Sequence, residues 1–294
     1  MSGARTGPRV VALVPAWKAE AFVERTLAAL AAQDCDGFAV VVSDDASPDG
    51  TASVCERFAA HDARFRVVRK ARNLGWVGNT NALLAEGFAA GAEYLLFAFQ
   101  DDLPEPDYVR RCVAALDADP GAVMVYSDID LVQADGSRKE KRYERLDGIT
   151  DRLERARRIV RQESSWWIPN RGVFRASAAR AIGGLRRHRA GEFSADWPWL
   201  LEMSLIGGFV RVRARLVTKI YMASSLSRGW HFGAREWLAV TASAMHAVAR
   251  RRLPAGESLR LHADLAAFAF RRIRRGLRHT LAAALGRRRY ATPR

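Results

Sequence analysis

The sequence predicts an α/β fold with a mainly parallel central sheet, helices on both faces and a helical extension at the C-terminus. Short apolar runs of strand length alternate with amphipathic segments of helix length through the first half of the 294 residues. The apolar runs are continuous, as in strands that are buried on both faces. The net charge of +15 comes mainly from arginines after residue 250, where the pattern is helical.

Five apolar runs are predicted to be strands, with helices between them. The strands are expected at 10–14, 38–43, 65–69, 94–99 and 123–127. Helices are expected within 19–32, after Thr51, through 84–88 and after Pro106. Because ligands of such sheets bind beyond the carboxyl ends of the strands, the acidic segments 44–49 and 101–102 should share one crevice.

The second half of the sequence indicates less regular secondary structure. Residues 135–163 are polar and charged, and we expect a surface excursion with one helix there. The remaining elements are expected as helices at 176–182 (ended by Gly183 and Gly184) and 196–206, and as strands at 209–212 and 217–221. The pattern is helical again from residue 235. We therefore divide the chain into a main domain, 1–232, and a basic helical extension, 233–294.

The sequence also predicts where in the cell the protein is located. No segment has the run of about 18 apolar residues that spans a bilayer. The apolar stretch 10–15 runs directly into Trp17, Lys18 and Glu20, which is typical of a first strand and not of a secretion signal. We therefore expect a cytoplasmic protein.

The acidic pair Asp101-Asp102 follows the fourth predicted strand. Adjacent carboxylates repel each other unless a cation lies beside them. Mg²⁺, which takes oxygen ligands, is a natural partner for such a pair. The alternative is a solvated turn that caps the helix after Pro106. The pair alone leaves these two interpretations evenly balanced.

Several blocks of sequence, taken in order, resemble one family. They are 10–15, 40–51 (VVVSDDASPDGT), 73–75 with Asn81, 100–102 followed by 106–108, Gly183-Gly184, and 195–197. Over about residues 9–230 they resemble the family 2 glycosyltransferases, which have the Rossmann-like GT-A fold. The resemblance implies that residues 1–232 form a GT-A catalytic domain. It also implies inverting transfer of a sugar from a nucleotide-sugar, UDP- or dTDP-linked, to a hydroxyl acceptor. The Gln/Arg-x-x-Arg-Trp motif of processive members is absent.

The resemblance also implies roles for the residues around the donor. Those that match nucleotide- or donor-binding positions are Pro15, Ala16, Trp17, Asp45, Asn73, Gly75, Asn81 and Asp101. Asp45 matches the carboxylate that contacts the nucleobase. Asp102 matches the carboxylate that holds a Mg²⁺ or Mn²⁺ ion, and Gln100 replaces the first acid of that motif. An alternative for Asn73, Gly75 and Asn81 is a turn with a helix cap.

The resemblance places the chemistry at Asp196. It matches the general base of inverting members, with Ala195 in place of the usual Glu; the alternative is an N-cap of the following helix. Neighbouring tryptophans could raise its basicity by excluding water. We expect an acceptor surface at Trp166, Trp167, Arg171 and Trp197, or alternatively an edge of the core. His231 is a further candidate for the metal or diphosphate, and its alternative is a structural histidine.

The basic extension predicts an amphipathic helix over 261–285. Its apolar positions are 261, 265, 273, 277, 281 and 285, with Phe268 and Phe270. Arginines fill positions 271, 272, 274, 275 and 278. An anionic membrane at the inner face of the plasma membrane is the first-ranked partner of 255–294. Packing on the main domain ranks second, and nucleic acid third. A membrane role would suit a lipid-linked or cell-envelope glycan acceptor.

Two rival functions stay open from the sequence alone. A nucleotidyltransferase would also place acids beside a nucleotide, but residues 14–20 lack the Gly-rich loop with Lys or Arg that such an enzyme needs. A non-catalytic protein that binds membrane or nucleic acid on a degenerate scaffold is the other rival, and Gln100 and Ala195, which depart from the family pattern, leave it open.

Overall fold

The structure is a computed structural model that describes residues 7–133, 135–162, 165–221 and 226–284. Within these residues, nine strands form one mixed sheet. The strands are β1 (Val10–Ala16), β2 (Phe38–Asp44), β3 (Phe65–Arg69), β4 (Tyr94–Phe97), β5 (Asp102–Pro104), β6 (Ala122–Val132), β7 (Arg138–Lys141), β8 (Val173–Arg175) and β9 (Gly208–Ile220). They lie in the order β3-β2-β1-β4-β8-β6-β9-β5, and β7 pairs with β6.

The first half of the sheet is parallel, as the sequence predicts. Strand β1 pairs in parallel with β2 on one side and β4 on the other, and β2 pairs with β3. The residues from Val10 to Val14 are all fully buried. Because successive side chains point to opposite faces of a strand, both faces of the sheet are covered here. The helices that follow these strands are α1 (Val23–Ala31), α2 (Thr51–His61), α3 (Gly75–Ala89) and α4 (Tyr108–Ala118).

The second half is more irregular than expected. The predicted strands 209–212 and 217–221 form one strand, β9, which runs beside β6 with register shifts around Asp128. The polar excursion contains a short hairpin strand, β7, as well as helix α5 (Arg152–Arg161). Arg211 lies within the first of these predicted strands, whereas Arg213 and Arg215 lie in the gap between the two. In the structure they pair with acids on neighbouring segments.

Two predicted helices occur with the expected bounds. Helix α6 (Ala176–Ile182) ends at Gly183, whose φ of +79° lies in the left-handed region that glycine adopts without strain. Helix α7 (Asp196–Ile206) begins at Asp196 and is followed by Gly207. It is buried almost throughout, so it forms a central layer between the sheet and the C-terminal part.

The C-terminal part forms two helices, α8 (Ala234–Ala249) and α9 (Ala255–Ala284), which pack on α7 and α5. Leu261, Leu265 and Phe268 of α9 are buried in the same core as the sheet. The rings of Phe268 and Trp197 lie 4.6 Å apart. Ion pairs reinforce the contact, from Arg157 to Asp264 at 2.6 Å and from Arg152 to Glu257 at 3.0 Å.

This packing corrects one part of the membrane prediction. The apolar face at 261, 265 and 268, which we expected to enter a membrane, is occupied by the protein itself. Arg272 also turns inward and stacks over the Trp237 ring at 4.6 Å. The side chains at 277, 278, 281 and 285 lie outside those that the structure describes. Within the described chain, none of the helices combines the length and apolarity needed to traverse a bilayer.

Candidate active site

The carboxyl ends of β1, β2 and β4 bring the predicted donor-site segments together. Backbone hydrogen bonds extend the ladder beyond the strands: the Asp45 N–H donates to the Ala16 carbonyl, and the Ala98 N–H to Leu13, both at 2.9 Å. Pro15 and Ala16 therefore lie between the segment around Asp45 and the one that leads to Asp101. The two acidic segments therefore both adjoin the carboxyl end of β1, the edge of the sheet where the topology predicts a shared crevice.

Gln100 ties the end of β1 to the segment after β4. Its Oε1 accepts from the Trp17 N–H at 3.1 Å, and its Nε2 donates to the Trp17 carbonyl at 3.4 Å. The Trp17 side chain is 42% exposed at this edge, with the Lys18 ammonium 4.5 Å from its ring centre. Gln100 is thus a bridge between backbone segments, and its amide oxygen is already in use.

Asp45 is buried and organises the turn that begins α3. Its Oδ1 accepts from the Leu74 N–H at 2.7 Å, and burial raises the pKa of its carboxyl. The Asn73 amide donates to the Asp45 carbonyl and accepts from the Gly75 N–H at 2.9 Å. Gly75 has a φ of +74°. Asn73 and Gly75 therefore shape a turn with a helix cap, which is the alternative raised from the sequence.

The sequence did not point to Glu192, which also caps α3. Its two carboxylate oxygens accept from the Trp76 and Val77 N–H groups at 2.9 and 3.1 Å. These are among the donors that the first turn of a helix leaves without intrahelical partners. Because 115 or more residues separate the partners, no local pattern could have revealed this cap.

Asn81 makes structural contacts, and its predicted donor role stays a prediction. Its Oδ1 accepts from the Leu185 N–H and its Nδ2 donates to the Leu185 carbonyl, both at 2.9 Å. The side chain therefore fastens the loop after α6 to α3. Gly184 packs so closely that a Cβ there would lie 2.5 Å from Asn81 Oδ1. Asn81 is a structural residue with both ends of its amide engaged.

The acidic pair lies opposite a lysine that the sequence reading missed. Asp102 begins β5, and its partner across the antiparallel pair is Lys219 of β9. The Lys219 ammonium is 2.5 Å from Asp101 Oδ2 and 3.6 Å from Asp102 Oδ1. Arg171 Nε lies 2.8 Å from Asp102 Oδ2. Burial raises the pKa of the Asp102 carboxyl, although Arg171 and Lys219 oppose that shift. Two carboxylates are therefore balanced by two cations.

A divalent ion does not fit these residues as they are arranged. The oxygens of the acidic pair that would bind Mg²⁺ or Mn²⁺ face Lys219 and Arg171, and the Gln100 oxygen accepts from Trp17. His231 is exposed, on the segment before α8. Across the ranges that the structure describes, no three His, Cys, Asp or Glu side chains cluster so that they could hold a metal. The expected roles of Asp102 and His231 as metal ligands therefore lack a site.

Arg171 belongs to the short 3-10 turn Ile168–Arg171 and is held firmly. Its guanidinium stacks on Trp167 at 4.4 Å and on Phe99 at 5.2 Å from the ring centres. The Tyr108 hydroxyl donates to the Arg171 carbonyl. We expected Arg171 to meet the acceptor, but the structure directs its charge to Asp102. Trp167, together with Trp166, remains partly buried at the edge of the core.

Asp196 is the first residue of α7 and lies in the same site. The Asn170 amide donates to its Oδ2 at 2.5 Å, while its Oδ1 is buried without a hydrogen-bond partner. Burial raises the pKa of Asp196 to about 6, although the nearby Arg171 charge acts in the opposite direction. Arg171 is thus close enough to influence Asp196 while it pairs with Asp102. The carboxylate has one anchored oxygen and one free oxygen.

The predicted acceptor role of Trp197 is wrong. The side chain is completely buried, and its Nε1 donates to the Ile159 carbonyl at 2.9 Å. Its ring packs against Phe268 of α9, so no face is left for a sugar. Trp199 is also buried, and it packs against Phe97 and Phe174 at 5.4 and 5.3 Å. These tryptophans supply apolar surroundings behind Asp196.

Comparison with known proteins gives a family and a fold. The model of the family described as "Glycosyl transferase family 2" matches residues 11–178. The crystal structure of residues 1–349 of Staphylococcus aureus TarS, in complex with UDP-GlcNAc, has a TM-score of 0.70 at 15% identity; it covers 89% of this chain and 72% of that one. The mannosyltransferase PcManGT of Pyrobaculum calidifontis, in complex with GDP-Man and Mn²⁺, has a TM-score of 0.58 at 20% identity, covering 95% of this chain and 76% of that one.

The chain spans only a small part of the length of one curated relative that it matches. The uncharacterized protein y4gI of Sinorhizobium fredii is 28% identical over 200 residues, or 67% of this chain. The match spans only 20% of y4gI. The family and the GT-A fold that the sequence resembles are both confirmed. Because the family model covers more than half of it, the chain belongs to glycosyl transferase family 2 and carries a glycosyltransferase domain of the GT-A fold.

Proposed function

We propose that this chain transfers a sugar from a UDP- or dTDP-linked donor to a hydroxyl group with inversion, in the synthesis of a cell-envelope glycan or another polysaccharide. The observation that carries the proposal is the Asp196 carboxylate. It has one oxygen anchored by Asn170 and the other free, and its pKa is about 6. A general base needs this combination of fixed orientation and a pKa near the working pH.

The proposed reaction is a single displacement. The acceptor hydroxyl oxygen forms a bond to the anomeric carbon on the face opposite the diphosphate, while the bond from that carbon to the diphosphate oxygen breaks. The hydroxyl proton moves to Asp196 Oδ1, the free oxygen. With a pKa of about 6, the carboxyl is mostly ionised at pH 7 and is a stronger base than an ordinary aspartate.

The donor is proposed to lie along the crevice at the ends of β1 and β2. Asp45 is a buried carboxylate whose Oδ1 accepts from the Leu74 N–H, and an N–H of the base could add a second hydrogen bond that a base without that donor would lack. Trp17 offers an exposed aromatic face beside Pro15 and Ala16. Two proteins of similar fold are bound to nucleotide-sugars, TarS to UDP-GlcNAc and PcManGT to GDP-Man. This supports a nucleotide-sugar as the donor class.

The acceptor is proposed to be a glycan or a lipid-linked glycan that approaches Asp196 past Trp166 and Trp167. Both rings are only partly buried, and Trp167 is braced by Arg171. Aromatic rings of this kind offer apolar faces to sugars, with a polar edge. Trp197 is not part of this surface, since it lies in the core.

We propose a cytoplasmic location at the inner face of the plasma membrane, with the outward side of α9 against anionic lipid. The outward side comprises the exposed Arg271, Arg274 and Arg275, with Leu259 and Phe270 also exposed. Clustered arginines beside exposed apolar side chains suit an anionic surface. Liposome pelleting should weaken when the three arginines become Gln, and remain when exposed Arg138, Lys139 and Arg213 are changed to Gln. Equal pelleting of both triple variants would reject this membrane contact.

The test of the proposed function is Asp196→Asn, with donor turnover screened across UDP-, GDP- and dTDP-sugars. We expect the variant to keep nucleotide affinity and to lose about 10²-fold or more of the transfer rate, the usual effect of removing a general base. Asp36→Asn is the matched control, because Asp36 is exposed before β2, at the opposite edge of the sheet. Turnover of Asp196→Asn at the wild-type rate would exclude the proposed role.

A further inference from the structure

The acidic pair Asp101-Asp102 and the cations Lys219 and Arg171 form one compact cluster of charges. This cluster bears on how the leaving diphosphate is stabilised. Lys219 is not a mobile surface lysine: it is the cross-strand partner of Asp102, and the next residue, Ile220, donates its N–H to the Asp101 carbonyl at 2.9 Å. Cross-strand partners lie side by side on the same face of a sheet. The backbone therefore fixes the ammonium beside both carboxylates.

The Lys219 ammonium occupies the place between the carboxylates where a bridging ion would lie. It is 2.5 Å from Asp101 Oδ2 and 3.6 Å from Asp102 Oδ1. A Mg²⁺ ion sits at about 2.0–2.1 Å from its oxygen ligands, so it cannot bind both carboxylates while the ammonium is there. The other Asp102 oxygen faces Arg171 at 2.8 Å. Each Asp102 oxygen therefore lies beside a cation of the protein, although neither oxygen accepts a hydrogen bond.

The sum of the charges also indicates that the cluster needs no divalent ion. Two carboxylates with one divalent ion sum to zero, and so do two carboxylates with Lys219 and Arg171. The two side chains therefore supply the charge that the ion would supply. Each is slightly exposed, 11% for Lys219 and 12% for Arg171, so a phosphate entering the crevice can reach them. An ammonium binds phosphate as a compact charge, and a guanidinium binds it through two N–H groups.

We propose that Lys219, together with Arg171, contacts the diphosphate of the donor in place of a divalent ion, so that donor binding needs no metal. This inference rests on the proposed function, since it concerns the leaving group of that reaction. The cation-held diphosphate would gain negative charge as its bond to the sugar breaks, and fixed positive charges stabilise that change.

The first experiment measures nucleotide binding and not turnover. UDP, dTDP and GDP are titrated calorimetrically into the full chain in EDTA and in MnCl₂, and Mn²⁺ binding is followed by electron paramagnetic resonance with and without UDP. We expect the same nucleotide affinity in both buffers, and no stoichiometric Mn²⁺ signal from the protein. A rise of about tenfold or more in affinity with Mn²⁺, together with one bound ion, would overturn the inference.

Substitutions assign the effect to Lys219. Lys219→Met should lower UDP affinity in EDTA by about tenfold or more, the scale of one charge-assisted hydrogen bond, and Lys219→Arg should retain most of it. Lys139→Met, on an exposed strand, is the matched control and should bind as the wild type does. Because Lys219→Met leaves two buried acids with one cation, the double variant Lys219→Met with Asp101→Asn keeps the charge balanced. It should show the same loss.

The outcomes separate the two proposals. If the double variant binds UDP in EDTA as tightly as the wild type does, the role of Lys219 is rejected. The proposed transfer reaction is not affected by that result. A wild-type protein that binds none of UDP, dTDP and GDP in either buffer would overturn the proposed function, and this inference with it. Circular dichroism and the Tm of each variant confirm that the compared proteins are folded.

Discussion

Replacing Asn170 by Ala should shift the pH profile of transfer, because Asn170 holds the anchored oxygen of Asp196. Its amide donates to Asp196 Oδ2 at 2.5 Å, and a hydrogen bond to the charged form of a carboxyl lowers its pKa. A hydrogen bond to a charged group is worth about 1.5–3 kcal/mol, and one pKa unit corresponds to about 1.4 kcal/mol. The pKa of Asp196 should therefore rise above about 6, by at most about one unit, because burial and the backbone N–H groups influence it more than Asn170 does.

The sign of the effect follows from the role of Asp196 as a base. Only the ionised carboxylate can take the proton, so the rate falls as the pH drops through its pKa. In the wild type this acidic limb should lie near pH 6. In Asn170→Ala it should move upward, to at most about pH 7, so that the rate at pH 7 falls by up to about twofold while the rate at pH 9 changes little.

The assay is the rate of nucleotide release from pH 5 to pH 9, measured at saturating donor. Asn73→Ala is the control, because it also removes the hydrogen bonds of an Asn side chain but lies at the turn before α3. Its acidic limb should stay near pH 6. An unmoved limb in Asn170→Ala, or an equal shift in Asn73→Ala, would refute the reasoning.

Two further predictions concern the parts that hold the site in place. Gly184→Ala should cost about 1–3 kcal/mol in the free energy of unfolding, because it adds a Cβ 2.5 Å from Asn81 Oδ1 at a φ of +82°; Gly183→Ala, with a φ of +79° and no atom within 4 Å of its Cβ, should cost less. Equal losses in urea unfolding would contradict this. Phe268→Ala should cost about 3–5 kcal/mol because the ring is 2% exposed, whereas Phe270→Ala, 65% exposed, should change stability by less than about 0.5 kcal/mol. Equal Tm values for these two variants would argue against the packing of α9 on the core.

The parts of the fold that the sequence predicted are those fixed by local pattern. The apolar run of β1 is buried on both faces, and its continuous hydrophobicity is the signal of such a strand. Helix α6 ends at Gly183 because a glycine can take the left-handed conformation there. Residues 213–216 in the middle of β9 were missed because Arg213 and Arg215 resemble a solvated loop until their acidic partners on other segments are known.

The parts of the site that escaped prediction depend on contacts between distant segments. Lys219 lies 118 residues from Asp101, and only the pairing of β5 with β9 brings them together. The hydrogen bonds of the Asn81 amide to Leu185 likewise join segments 104 residues apart, so the sequence could not show them. The same limit applies to α9: its apolar stripe was visible in the sequence, but the choice between a membrane and the core of the protein depends on what lies opposite.

The stereochemistry of the product tests the central claim most directly. Water can replace the acceptor hydroxyl, so a slow hydrolysis of an α-linked UDP-sugar in the presence of the enzyme can be followed by proton NMR before the released sugar changes its anomeric form. Single displacement with Asp196 as the base predicts that the first sugar released is the β anomer, and that Asp196→Asn releases almost none. Release of the α anomer, or undiminished release by Asp196→Asn, would contradict the account.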